Sequence, residues 1–413
     1  MGPGGTFAAL REQPFRLLWL GRVASAVGDA LVPVALAFAV LSIHRSYTAF
    51  GIVSAAFALS RVVFTLAGGV IADRLSRRTI MLGADIVRAG VEAFTAAMLF
   101  TGHMTIPLFV VTGAIFGAAS AFFGPASDGL VPQTITATNL QQANALLGMS
   151  RNTLNVFGPA VSGLIVAAAG PGYVFSIDAA SFVASGIFLW RLRIDAPARA
   201  AHESFLAEAR AGFREVLARP WVRAPIAGFA IANLALAAFI VLGPLVFLTH
   251  FEHGKTDWGI VSACGSFGAI VGALASVRFS PRHPLYAGFL TSVLLAVPVA
   301  ALAHPLPWPA VALAWAFGMG SIALSNTWWE TTLQRGIPEH LYSRVRSYDI
   351  LVSFVFMPAG MIVVGPIADS VGFMWTLGAA AVIVAVTNLA VAAVPGVRNL
   401  TPDDLQLVTA EAV

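Results

Sequence analysis

The chain has 413 residues, of which 58% are hydrophobic and only 11% are charged. Because soluble domains carry about 25% charged residues, this composition excludes a water-soluble globular protein and indicates an integral membrane protein. The net charge of +4 is too small to suggest a nucleic-acid partner, and the single cysteine excludes an intrachain disulfide and a cysteine-based metal site.

Twelve apolar segments are each long enough to cross a bilayer of about 30 Å as a helix. They cover roughly residues 15–43, 48–72, 79–101, 105–131, 141–168, 171–192, 223–249, 257–278, 284–303, 307–331, 345–368 and 372–395. An even number of spans places both termini on the same side of the membrane. Most arginines outside the spans lie on that side, so the positive-inside rule places both termini in the cytoplasm.

A polar stretch between the sixth and seventh spans divides the chain into two halves. We predict an N-terminal six-helix half at 1–193, a cytoplasmic amphipathic linker at 194–222, a C-terminal six-helix half at 223–395 and a cytoplasmic tail at 396–413. In the linker, apolar side chains recur at helical spacing and charged side chains occupy the other face. This pattern is typical of a helix that lies on the membrane surface.

The first span contains two ionisable residues, Arg22 and Asp29. Charged groups inside a span are costly unless they are paired or hydrated, so they mark candidate functional positions. Asp29 is the first candidate for a carboxylate that carries a proton, and the alternative is that it only anchors the first span to a neighbouring helix. Arg22 lies about two turns earlier on the same helical face and is a candidate for a charge pair.

The third span carries Asp85, Arg88 and Glu92, whose spacing puts them on one stripe of a helix. Mutual neutralisation of these three groups is the favoured interpretation. Glu92 is the deeper carboxylate and the second candidate for protonation. In the second span, Arg61 is expected either to hold a carboxylate of the first or third span or to attract an anionic substrate.

The segment between the second and third spans, Gly69–Arg78, reads GVIADRLSRR. It resembles the G-x-x-x-D-R-x-G-R-R/K signature that the major facilitator superfamily places between its second and third helices, with Ser76 where the signature has glycine. The residues that match are Gly69, Asp73, Arg74, Arg77 and Arg78. An ordinary basic loop would explain the arginines but not the glycine and the aspartate at these offsets. The resemblance implies a latch on the cytoplasmic side.

Three further stretches resemble the macrolide-efflux and siderophore-export proteins of that superfamily. They are Phe15–Gly21 with Ser25 and Gly28-Asp29; Phe122–Ala126 with Leu130–Pro132 and Leu140–Leu146; and Gln334 with Pro338, Arg344-Val345 and Ser347. The resemblance implies an all-α integral membrane protein with twelve transmembrane helices in two pseudo-symmetric six-helix halves and a cavity between them. It also implies a bacterial-type inner membrane.

By this resemblance the protein is expected to be a secondary active transporter that exports amphipathic drug-like compounds by alternating access, coupled to protons. The alternative is an exporter or facilitator of an endogenous metabolite such as a siderophore, a sugar or a lysolipid. The partners expected are a small-molecule substrate, protons and membrane lipid, with no nucleic acid and no cofactor, and the protein is expected to be a monomer.

In the fifth span, Gly158, Pro159 and Gly163 resemble the Gly-Pro motif of proton-coupled exporters. Glycine and proline bend a helix and allow a neighbour to approach closely. Arg151 of the same span is expected to pair with an acidic residue near the cytoplasmic motif, either Asp73 or Asp128.

Polar and aromatic residues elsewhere complete the candidate site. Glu330 and Asp349 stand near the cytoplasmic ends of the tenth and eleventh spans and are expected to act as gate or interface residues. The candidates for lining a substrate cavity are Phe38, Phe57, Asn233, Asn326, Trp329 and Phe356. The two asparagines have the stronger case, because a buried amide needs hydrogen-bond partners. Asp178 in the sixth span is expected near the external end, in contact with solvent.

Several other classes of function lack their signatures. The sequence contains neither H-E-x-x-H nor G-x-S-x-G, so no protease or esterase site is predicted. Gly254-Lys255-Thr256 resembles the end of a phosphate-binding loop, but the required earlier glycine is Thr249. The histidines show no metal-ligand spacing. The sequence therefore predicts neither an enzyme nor a metal site.

Overall fold

The computed structural model describes residues 8–72, 76–193, 213–214, 216–304, 306–401 and 404. Within these ranges it leaves undescribed the side chains of residues 8, 66–72, 137, 339–340, 343–344, 347, 350 and 354. Asp73, Arg74 and most of the predicted linker at 194–222 therefore lie outside the described residues. Gly69 lies in a described helix, in the part where side chains are not described.

The described chain folds into twelve long helices. They are α1 (Gln13–Ile43), α2 (Tyr47–Ala72), α3 (Arg77–Phe100), α4 (Ile106–Thr134), α5 (Leu140–Ala168), α6 (Pro171–Arg191), α7 (Pro220–His250), α8 (Gly254–Arg278), α9 (Pro284–Ala303), α10 (Trp308–Gly336), α11 (Glu339–Val371) and α12 (Phe373–Ala393). A 3₁₀ turn at Val293–Leu295 interrupts α9, and short helical turns precede α1 and follow α12. Ten of the helices are long and apolar enough to span a membrane.

Helices α3 and α5 are the two more polar members of the set. In α3, Asp85, Arg88 and Glu92 are all buried inside the protein, at 1%, 2% and 4% exposure. Ionisable groups are tolerated at membrane depth when they face the interior and pair with one another. The low hydropathy of α3 therefore reflects an inward-facing polar stripe, and the helix still belongs to the bundle.

The turns before α6 and α12 are built alike. Gly170 has φ +95° and Gly372 has φ +90°, and each directly precedes the next helix. Glycine adopts this conformation readily because it has no Cβ, whereas other residues are strained there. The same turn thus occurs before the last helix of each set of six.

The chain divides into two compact units. The first contains residues 1–199 and 255–263, and the second contains residues 200–254 and 264–413. In the first unit α1 packs against α5 and α6, α2 against α4, and α3 against α4 and α6. In the second unit α7 packs against α11 and α12, and α9 packs against α10 and α12.

The last residues of the predicted linker pack within the second unit. Val216 is buried in an apolar cluster that includes Trp329 and Leu333. Arg219 donates a hydrogen bond to the carbonyl of Gly336, the last residue of α10, at 3.0 Å. A cation at this position satisfies a terminal carbonyl and favours the negative end of the helix dipole.

Candidate functional site

A buried charge cluster in the first unit is centred on Arg88 of α3. The guanidinium donates to Asp85 on the same helix and lies 3.7 Å from Asp29 Oδ2 on α1. Its carbon also lies 4.1 Å from the ring centroid of Phe123 and 4.2 Å from that of Phe182. Arginine stacks well on aromatic faces, so ion pairs and rings together hold this cation inside the protein.

The two carboxylates that contact Arg88 differ in their surroundings. Asp85 is buried, and its Oδ2 accepts a hydrogen bond from Ser185 Oγ of α6 at 2.6 Å. The side chain of Asp29 is 45% exposed, and its additional hydrogen-bond partner is Ser25 Oγ at 3.5 Å. Arg61 of α2 interacts electrostatically with Asp29. Asp85 is thus enclosed by the fold, whereas the carboxylate of Asp29 is partly exposed.

Asp178 joins this cluster, and the expectation that it is solvated is wrong. Its side chain is fully buried and touches the position that a Cβ on Gly28 would occupy. Asp178, Ser181 and Ser185 share the face of α6 that packs on α1 and α3, which turns the carboxyl inward. A polar stripe at this helical spacing was the sequence signal that could have revealed it.

Arg22 and Arg151 lie near the end of α4. Arg22 pairs with Asp128 at 3.1 Å, so its observed ion pair is not with Asp29 on its own helix. A long arginine side chain reaches across to a neighbouring helix more easily than along its own helix over two turns. Arg151 interacts electrostatically with Arg22. Of its two expected partners, Asp128 pairs with Arg22, and Asp73 lies outside the described residues.

The basic end of the Gly69–Arg78 motif binds backbone carbonyls. Arg77 donates to the carbonyl of Gly129 on α4. Arg78 donates to Leu189 O at 2.8 Å and to Trp190 O at 2.5 Å, in the last turn of α6. Both arginines thus connect the start of α3 to neighbouring helices of the same unit.

Ser76, which stands where the superfamily signature has glycine, caps α3. Its Oγ accepts from the backbone N–H of Thr79 at 3.1 Å. A serine in this position satisfies one of the free N–H groups at the helix start. This contact gives the departure from the signature a local structural reason.

The Gly-Pro motif of α5 packs against Ala30 and Leu31 of α1, the two residues that follow Asp29 in the chain. A Cβ on Gly158 would lie 2.6 Å from the Cβ of Ala30, and Ser162 Oγ donates to Leu31 O at 2.6 Å. A Cβ on Gly163 would lie 2.8 Å from Lys255 O, in the start of α8 that belongs to the same unit. Pro159 lies inside the helix. The small residues therefore permit close approach on two sides of α5.

A second charge cluster lies in the second unit. Arg346 of α11 contacts Glu330 Oε1 of α10 and Asp349 Oδ2, each at 2.5 Å. Asp349 also accepts from Trp329 Nε1 at 3.1 Å and from Ser353 Oγ at 3.2 Å. Sequence analysis had not singled out Arg346, although its spacing of three residues from Asp349 on one helix was a usable signal.

The predicted cavity residues have different environments. Trp329 is 3% exposed and Phe38 is 2% exposed, so both are packing residues and do not line a cavity as expected. The ring of Phe57 lies 5.9 Å from that of Phe116. Asn233 donates to Ser353 O at 2.9 Å and thereby connects α7 to α11. Asn326 and Phe356 are exposed.

Comparison with known proteins gives the family. The sequence model of the transmembrane secretion effector family, MFS_3, matches residues 4–406. The multidrug efflux pump Tap of Mycobacterium tuberculosis is 26% identical over 401 residues, which cover 94% of each chain. Macrolide efflux protein A of Streptococcus pyogenes is 25% identical over 182 residues, which cover 44% of each chain.

The fold comparison agrees with the family. A crystal structure of the nucleoside transporter NupG superposes with a TM-score of 0.74 at 15% identity, covering 93% of this chain and 100% of that one. The predicted all-helical architecture and the resemblance to the superfamily are confirmed. The chain therefore belongs to the transmembrane secretion effector family of the major facilitator superfamily, and it is a multi-pass membrane transporter of small molecules, not an enzyme.

Proposed function

We propose that this transporter exports amphipathic drug-like compounds and that proton entry drives the export. Its relatives over nearly the whole chain are named multidrug efflux pumps, and a relative of part of the chain is named for macrolide efflux. These names support drug export over the alternative of an endogenous metabolite. Alternating access between inward-open and outward-open states is the mechanism that the fold supports.

The observation that carries the proton coupling is the contact between half-exposed Asp29 and buried Arg88, 3.7 Å apart. When a proton binds Asp29, the carboxyl loses its charge and its attraction for Arg88 falls. The cation then remains with Asp85, on its own helix. Because α5 packs closely beside Ala30 and Leu31, a change of pairing at Asp29 can move α1 against α5. Protonation thereby favours one state over the other.

The charge pairs near the predicted cytoplasmic ends serve as gate contacts in this proposal. They are the Arg22–Asp128 pair of the first unit and the Glu330–Arg346–Asp349 cluster of the second. The Arg22–Asp128 and Arg346–Glu330 pairs can break and re-form at modest cost, because one member of each is substantially exposed. The latch assigned to Gly69, Asp73 and Arg74 remains part of the proposal on the sequence resemblance.

The setting of the protein is also proposed. We place it as a monomer in a bacterial inner membrane, in contact with lipid, with both termini in the cytoplasm. The arginine distribution supports this orientation. The two predicted halves, joined by the cytoplasmic linker at 194–222, remain the proposed functional division.

The test is efflux of ethidium, a fluorescent cationic dye, from cells that produce the wild type or Asp29→Asn, with and without a proton uncoupler. We expect uncoupler-sensitive efflux from the wild type and at least a tenfold slower rate in the variant. A tenfold change in rate corresponds to about 1.4 kcal/mol of activation free energy. Asp404→Asn is the control, because it removes an exposed carboxylate outside the site. An efflux rate that changes neither with the uncoupler nor in Asp29→Asn would overturn the proposed proton coupling. If no ethidium leaves the cells at all, the result favours a metabolite transporter.

A further inference from the structure

Two buried carboxyl groups interact electrostatically with Asp29 and take no part in the ion pairs described above. Glu92 of α3 is 4% exposed and Asp178 of α6 is 0% exposed. Among the described residues, Glu92 Oε2 and Asp178 Oδ2 have no hydrogen-bond partner. Asp178 Oδ1 accepts from Ser181 of its own helix at 3.3 Å. Each carboxyl group therefore has a buried oxygen that no described donor satisfies.

The charges that face these groups do not balance. Four carboxyl groups meet here, from Asp29 on α1, Asp85 and Glu92 on α3, and Asp178 on α6. Asp29 interacts electrostatically with each of the other three, and Glu92 interacts with Asp178. The buried cation is Arg88, which contacts Asp29 and Asp85, and α2 adds the exposed Arg61 near Asp29. From α4, the ring of Phe123 stacks on Arg88. Ionising all four groups would leave buried negative charge without a counter-ion, which proteins avoid by protonation.

The position of Asp178 couples it to α1. Its carboxyl occupies the space beside Gly28, where a Cβ would collide with Asp178 and would lie 2.5 Å from Ser181 Oγ. Gly28 directly precedes Asp29 in the chain. A shift of α1 that follows protonation of Asp29 therefore changes the surroundings of Asp178 directly.

We infer that Glu92 and Asp178 form a second protonation site, enclosed in the first unit, which holds protons while Arg88 pairs with Asp29 and Asp85. The inference rests on the proposed function for its role in transport. When Asp29 takes up a proton, Arg88 loses one anionic partner. The shift of α1 then opens the space beside Asp178 to water, and the pair replaces the lost partner by releasing a proton to that water. One proton binds at Asp29 and another leaves the pair, so the total charge of the cluster stays constant.

The direct test is infrared spectroscopy of the purified full-length protein in lipid nanodiscs at neutral pH. The carbonyl stretch of a protonated carboxyl group separates from that of a carboxylate, so protonated side chains are counted without any substrate. We expect Glu92→Gln and Asp178→Asn each to remove part of this band. Asp349→Asn is the matched control, because Asp349 is equally buried but ion-paired with Arg346, and it should leave the band unchanged. A band of wild-type size in both test variants would overturn the inference.

Thermal unfolding gives a second, independent readout. A neutral amide imitates a protonated carboxyl group, so Asp178→Asn and Glu92→Gln should unfold at the wild-type temperature. Asp85→Asn removes the ionised partner of Arg88 and should unfold at a lower temperature. If Asp178→Asn and Glu92→Gln lose as much stability as Asp85→Asn, the two groups are ionised in the wild type and the inference fails.

The role in transport is tested separately from protonation. We expect Asp178→Asn and Glu92→Gln to change the pH dependence of ethidium efflux, whereas Asp404→Asn leaves it unchanged. An unchanged pH profile together with a lost infrared band would limit the pair to a permanently neutral structural element and overturn its place in the proton path. If the wild type exports no ethidium, the proposed drug export fails, and the infrared band still decides whether the enclosed site is protonated.

Discussion

At the scale of single residues, exposure separates carboxylates that share one arginine. Asp85 and Asp29 both contact Arg88, but Asp85 is 1% exposed and hydrogen-bonded to Ser185, whereas the side chain of Asp29 is 45% exposed. A carboxylate must reach a source of protons to carry one between compartments. We therefore propose that the same type of side chain anchors a cation at Asp85 and exchanges protons at Asp29.

Glu12 offers a residue-scale prediction outside the membrane-spanning helices. Its carboxylate accepts from Asn139 Nδ2 at 2.8 Å and from the backbone N–H of Thr136 at 2.9 Å, in the turn between α4 and α5. The hydrogen bond from Asn139, with those from Thr136, holds the pKa of Glu12 below its usual range. This contact therefore has its full strength at neutral pH and weakens as the pH falls through that lowered pKa.

Hydrogen exchange at the Thr136 amide measures this contact. We expect Glu12→Gln to exchange faster than the wild type at neutral pH, because a neutral amide is a weaker acceptor than a carboxylate. The difference in exchange rate should disappear in acid, where protonation makes the wild-type carboxyl group neutral, like the amide of the variant. Equal exchange rates at neutral pH would show that Glu12 does not hold this turn.

At the scale of helices, the glycines of α5 decide how closely it packs on α1. Gly158 faces Ala30 with no room for a Cβ, whereas Gly148 on the same helix has open space around it. Glycine and alanine differ in helix propensity by the same amount at both sites, so the contrast isolates packing.

We expect Gly158→Ala to destabilise the protein by about 1–3 kcal/mol through overpacking and to slow ethidium efflux. Gly148→Ala should keep both properties or gain slightly in stability from its better helix propensity. Thermal unfolding in detergent, followed by tryptophan fluorescence, compares the two variants. If both variants unfolded at the same temperature, the close packing at Gly158 would not contribute to the stability of the protein.

At the scale of the whole molecule, the even number of helices and the arginine distribution fix the proposed orientation. Cys264 is the single cysteine, so a Cys264→Ser background allows one reporter cysteine at a time. A maleimide that cannot cross membranes should label His253→Cys in intact cells, because His253 lies in the predicted external turn, directly before α8. Ala198→Cys in the predicted linker should react only after lysis, and the reverse pattern would invert the topology.

The sequence alone determined the fold class, the twelve helices and the superfamily. Apolar run length, arginine distribution and the Gly69–Arg78 signature are local properties, and a bilayer forces each apolar run into a helix because backbone groups there have no water to bond. The same locality explains why the stripe of Asp85, Arg88 and Glu92 was visible, since all three residues lie on one helix.

Only the tertiary structure decided which residues meet across helices. It paired Arg22 with Asp128, placed Asp178 against Gly28, and buried Trp329 with its indole N–H donating to Asp349. The rotation of each helix about its axis sets these contacts, and in a bilayer a helix with lipid on one side and protein on the other shows only a weak apolar asymmetry in its sequence. Long-range packing of small residues fixes that rotation, and it therefore places the charges that a proton can reach.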